Sequence, residues 1–130
     1  MNKLTRISVI TLTAALVFLT GCRTTQIYNV ENAPIEISSK HTSNDIKKAI
    51  IRAGTGLGWQ MKAKKKGHIV GTLYIRKFIA VVDINYTPKS YSITYKSSSG
   101  LQYDGESIHK NYNGWVQNLD RRIQSQLTAI

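Results

Sequence analysis

Between Trp59 and Lys96 the chain alternates apolar and polar residues with few breaks. Trp59, Met61 and Ala63 fall on one face, with Gln60, Lys62 and Lys64 on the other. Ile69, Gly71, Leu73 and Ile75 form a second set, and Phe78, Ala80, Val82, Ile84 and Tyr86 a third. Tyr91, Ile93 and Tyr95 form a fourth, backed by Ser92, Thr94 and Lys96. Period two is the mark of a half-buried strand, so four strands are predicted. The turns between them set the register. A three-residue loop at Lys64-Lys65-Lys66 with Gly67 as a bulge pairs Met61 with Ile69 and Trp59 with Gly71. A two-residue turn at Arg76-Lys77 pairs Ile75 with Phe78, Leu73 with Ala80, Gly71 with Val82 and Ile69 with Ile84. A turn over Thr87-Pro88-Lys89-Ser90 pairs Tyr86 with Tyr91 and Ile84 with Ile93. Each pairing sets apolar opposite apolar or opposite Gly71, as a one-sided antiparallel sheet requires. The Arg76-Lys77 turn lacks the Gly, Asn or Asp that a primed turn favours.

Helical spacing flanks this block. Ile46, Ala49, Ile50 and Ala53 repeat at i, i+3, i+4, i+7, with Thr42 or Ser43 as cap and Asp45 in the first turn. Gly54, Gly56 and Gly58 are expected to stop that helix. Toward the C-terminus Ile108, Tyr112, Trp115, Val116, Leu119, Ile123 and Leu127 make one stripe. Asn113-Gly114 is expected to delay the second helix to about Asn111 or Asn113. Ile35-Glu36-Ile37 alternates, with Pro34 at its start, and has the look of a short edge strand. The order β-α-β-β-β-β-α predicts a two-layer α+β domain: a four-stranded antiparallel meander, room for an N-terminal edge strand, and two helices on one face.

The N-terminus adds an address. Lys3 and Arg6 precede an apolar run, Ile7 to Leu19, that ends in Leu19-Thr20-Gly21-Cys22, and Cys22 is the only cysteine of the 130 residues. A basic start, an apolar core, a small pair and a cysteine at the cut make a lipoprotein signal. The run is thirteen residues, short of the ~20 that span a bilayer. Residues 1–21 are therefore expected to be a cleaved leader and Cys22 the lipidated first residue. Residues 22–41 are polar and aperiodic and read as a tether, leaving 42–130 as the folded domain. With a single cysteine no internal disulfide forms, so packing must hold the domain.

The strings Gly58-Trp59, Tyr91-Ser92-Ile93-Thr94-Tyr95-Lys96-Ser97-Ser98 and Tyr112-Asn113-Gly114-Trp115-Val116-Gln117-Asn118-Leu119 resemble those of small, uncharacterised proteobacterial lipoproteins. The resemblance implies fold and location and carries no activity or catalytic residues. Lipoprotein chemistry implies a diacylglyceryl thioether on Cys22. Arg23, in place of an Asp, implies sorting to the outer membrane, facing the periplasm.

No catalytic constellation assembles. His41, His68 and His109 are separated, and the seven acids Glu31, Glu36, Asp45, Asp83, Asp104, Glu106 and Asp120 are scattered. His109 near Asp104, Glu106 and Ser107 reads as a loop histidine beside turn formers. No His or Cys spacing suits a metal, and Gly54-Thr55-Gly56-Leu57-Gly58 follows a helix where a phosphate loop must precede one. The sequence thus points to a non-enzymatic protein with no cofactor and no metal. The net charge is +11, which falls to +9 once Lys3 and Arg6 leave with the leader. An envelope address argues against nucleic acid and for anionic lipid, lipopolysaccharide, peptidoglycan or an envelope protein. The candidate contacts are Lys62, Lys64, Lys65, Lys66 and Arg76, with Tyr74 on an outer sheet face that also carries Val70, Ile79 and Val81. That face is expected either to bind or to be partly covered by the tether or by the strand at Ile35 to Ile37. A second expectation is an assembly subunit that docks another outer-membrane protein.

Overall fold

The computed structural model describes residues 23–37 and 40–130. The leader and Cys22 lie outside them. Along the chain run β1 (Thr24–Gln26), β2 (Val30–Pro34), α1 (Ser43–Gly56), β3 (Gln60–Lys65), β4 (His68–Ile75), β5 (Phe78–Tyr86), β6 (Ser90–Ser99), β7 (Ser107–His109) and α2 (Lys110–Thr128). The fold is α+β. Five antiparallel strands in the order β2-β6-β5-β4-β3 form the main sheet, and β1 with β7 forms a two-stranded one.

The inner faces of the main sheet are the predicted ones. Ile69, Leu73, Ala80, Val82, Ile84, Tyr91 and Ile93 are buried with Ile46, Ala49, Ile50 and Ala53 of α1 and with Tyr112, Val116, Leu119, Ile123 and Leu127 of α2 in one core. Thr42 caps α1. Its hydroxyl accepts from the Asp45 N–H at 3.2 Å and the Asp45 carboxylate accepts from the Thr42 N–H at 3.0 Å, a capping box. That backbone bond holds the Asp45 carboxyl below the ordinary carboxylate range. Its contribution to the cap is present above that range and is lost as pH falls through the lowered value.

Several expectations shift. Gly54 and Gly56 lie inside α1. Only Gly58 ends the helix, at φ +89, with its N–H on Thr55 O and the Trp59 N–H on Gly54 O, the two bonds of a Schellman motif that a left-handed residue closes. Met61 faces Gly71 rather than Ile69, and Trp59 precedes β3 instead of pairing. The hairpin is tighter than foreseen: Lys65 pairs with His68 across Lys66-Gly67, and the register breaks at Lys64. The Arg76-Lys77 turn has the predicted register, with Arg76 itself at φ 54 in place of a glycine. β6 carries a further register break opposite Val81 and Val82.

The larger departures are at the ends. The stretch read as a tether is woven into the fold. β1 pairs with β7, and β2 pairs with β6 as the fifth strand of the main sheet. The edge strand is Val30–Pro34, so Pro34 ends it rather than starting it, and Ile35 to Ile37 follow outside it. Asn113 holds this segment: its Oδ1 accepts from Tyr28 N–H and its Nδ2 donates to Gln26 O, both at 2.9 Å. Asn113 and Gly114 therefore sit within α2, which starts at Lys110, and Ile108 belongs to β7 rather than to the helix stripe.

Two tyrosine hydroxyls bear on the packing between β6 and α2. Tyr91 donates to Asp120 at 2.5 Å, and burial followed by that carboxylate pushes its ionisation upward. The Tyr112 hydroxyl is buried without a hydrogen-bond partner among the described residues, its ring edge-on to Tyr95 at 5.8 Å. Burial pushes its ionisation upward as well. An unpaired buried hydroxyl costs ~1–3 kcal/mol. Tyr112→Phe is thus expected to stabilise the domain by about 1 kcal/mol, read as a higher urea midpoint at unchanged slope. A lower midpoint would contradict the placement.

Candidate functional site

The predicted contact residues come together in part. Gly67 sits at the tip of the β3–β4 hairpin at φ +82, where a Cβ would lie 3.0 Å from Tyr86 O. The Tyr86 N–H donates to Gly67 O at 2.9 Å. A glycine here lets the tip fold down onto the end of β5 and stay there. This brings Lys64, Lys65 and Lys66 against the first turn of α1, around an open cleft of about 410 Å³ that Lys47, Ser43, Asn44, Ala63 and Tyr86 also line. Four lysines from two elements thus share one cleft, and none of its lining residues is acidic.

Like charges gathered around one cleft raise one another's energy, so an anion placed among them lowers it. The α1 N-terminus adds to the same sign of potential, because first-turn N–H groups have no carbonyl four residues back. Asp45 opposes it in part. Its carboxylate, however, is turned to the Thr42 N–H and lies 3.8 Å from the His41 ring.

Lys62 and Tyr74 belong elsewhere. With Gln60, Lys64, Val70 and Thr72 they border a second cleft of about 330 Å³ on the sheet face turned away from the helices. Tyr74 is 58 % exposed, and β2 lies beside β6 in the plane of the sheet. The edge strand thus extends the sheet and does not roof its outer face, and Ile35 to Ile37, expected as a covering strand, form none. Lys64 touches both clefts. Arg76 touches neither; it follows the far end of β4, about 30 Å from Gly67 at the hairpin tip for nine residues of extended chain.

The outer face also carries an ion cluster. His68 Nε2 lies 2.7 Å and Lys96 Nζ 3.7 Å from Asp83 Oδ1, linking β4, β5 and β6. The group ties strands together across the face. His109 has a structural task of its own. Its Nδ1 accepts from the Asn111 N–H at 3.1 Å at the start of α2. Asp104 Oδ1 accepts from the Glu106 and Ser107 N–H groups at 2.9 and 2.7 Å, which lowers its carboxyl below the ordinary range. Among the described residues no group of three His, Cys, Asp or Glu is placed to hold a metal ion. None of the helices among them is long and apolar enough to cross a membrane.

Lys47 and the first turn of α1 are the part of the cleft that the sequence does not announce. Lys47 is one position past the buried Ile46 on the helix, and nothing local relates it to a hairpin 17 residues on. No family model, curated protein sequence or solved structure matches the chain. The chemistry of its own residues carries the functional argument.

Proposed function

We propose that this chain is a lipid-anchored, non-enzymatic binding module of the cell envelope, holding an anionic component at the cleft of Lys47, Lys64, Lys65 and Lys66. The observation that supports it most is the convergence of those four lysines, from α1 and the hairpin, on one open cleft with no acid in its lining. Charge scattered over a surface serves solubility. Charge concentrated at a concave site makes a local field that favours an anion.

The address rests on the leader and Cys22, and on the resemblance to small uncharacterised lipoproteins. Acyl chains on Cys22 would hold the domain at a membrane surface, outer by the Arg23 criterion. There, anionic headgroups, lipopolysaccharide phosphates and peptidoglycan carboxylates are within reach. The short stretch between Cys22 and β1 keeps the domain close to that surface.

Near an anionic surface each lysine contributes about 1 kcal/mol. Reversing Lys47, Lys64, Lys65 and Lys66 to Glu is therefore expected to weaken binding to vesicles containing a third anionic phospholipid by at least about a hundredfold. Co-sedimentation of a non-acylated form at physiological salt measures it. Reversal of Arg52, Lys89, Lys110 and Arg121, which line no part of that cleft, is the control matched in charge. Equal losses for both sets would reduce the effect to net charge and remove the cleft from the account.

A further inference from the structure

The main sheet ends in two free edges, and they differ. β2 meets β6 only at Val30, Ala33 and Pro34, with a register break between Val30 and Ala33 and with Asn32 at φ 51. Bulges and prolines of this kind blunt an edge against further pairing. β3, at the other end, keeps an unbroken register with β4 from Gln60 to Ala63. In an antiparallel ladder alternate residues turn N–H and C=O away from their partner. Among the described residues no strand takes those groups on β3.

Its side chains restrict what can. Lys62, Lys64 and Lys65 stand exposed along it, and the strand has no acid. A second copy aligned antiparallel would set lysine across from lysine, which destabilises a pair. Residues 1–22 of this chain contain no Asp or Glu either. Beside the edge, the cleft on the outer face offers Val70 and Tyr74 to an apolar side chain. The lysines, commonly a guard against pairing, here select the partner.

We infer that β3 is a receptor edge for an extended segment of another protein, one with acidic residues at alternate positions, which joins the sheet as a sixth strand. Main-chain bonds supply the affinity and the lysines the choice of sequence, as in other strand additions. This goes beyond the anion-binding reading and stands or falls apart from it.

The test uses the full chain in mild detergent and an eight-residue peptide of alternating Glu and Val. Saturating peptide is expected to slow hydrogen exchange at alternate amides of Gln60–Ala63 at least tenfold. The same peptide N-methylated throughout keeps its charges but has no donors, and is expected to bind at least tenfold more weakly. Equal binding of both peptides, or binding without protection of β3 amides, overturns the inference. Either result is independent of whether anionic vesicles bind the cleft.

Discussion

Val30→Asp is expected to cost about 3 kcal/mol or more. As part of a polar tether the position would accept the change without effect. In the structure Val30 is 7 % exposed and packs in the common core opposite Ile93. A carboxylate there has no cation within the core to pair with, since the buried set is entirely apolar. Burying an uncompensated charge is among the few mechanisms that produce so large a loss from one substitution. Small domains are stable by 5–15 kcal/mol (roughly), so the variant should show a much lower urea midpoint. Glu31, one residue on and exposed, is the control: Glu31→Ala should leave the midpoint nearly in place. Equal, small effects at both positions would mean that β2 does not hold its place in the sheet.

Cys22→Ala, with residues 1–21 exchanged for a leader cut by an ordinary signal peptidase, is expected to move the protein wholly from the membrane to the soluble fraction. One acyl chain gives only marginal membrane residence, while two or more hold stably, at ~0.8 kcal/mol per buried methylene. The effect should therefore be close to all-or-none. The described residues include no helix suited to span a bilayer, so no second anchor of that kind should mask it. Labelling with radioactive palmitate checks the chemistry directly, wild type against variant. A variant that stays in the membrane, or a wild type that takes no label, would refute the anchor and with it the envelope address.

The hairpin shows how far the pattern of residues reaches. Alternation assigns Met61, Ile69 and Gly71 to one face and stops there. A slip of two residues keeps every side chain on its face, so Met61 opposite Ile69 and Met61 opposite Gly71 are equally good patterns. Volume decides between them. Met61 Sδ and the Trp59 ring lie over the bare Gly71 Cα, space that Ile69 does not leave. The same tightening puts a bulge at Lys64. That break lets Lys64 border the outer cleft with Lys62 and also reach, with Lys65 and Lys66, the cleft beside α1.

The candidate site divides along the same line. A run of lysines at a turn is visible in any reading of the chain. Lys47 is not, because its place beside the hairpin depends on how α1 lies across the sheet. The N-terminal strands were hidden for a related reason. β1 and β2 are short, bulged or exposed, with little alternation of their own. They are held instead by bonds to β6, β7 and Asn113, partners far along the chain.

By itself the sequence determines the α+β class, most of the inner faces of four strands and two helices, and the strong positive charge. These follow from local period and composition, which neighbours along the chain settle among themselves. Only the tertiary structure decides the register of the first hairpin, the folding of residues 24–34 into two sheets, and the meeting of four lysines at one cleft. Those depend on volumes and hydrogen bonds between distant segments, and no local pattern encodes which distant surface a side chain will meet.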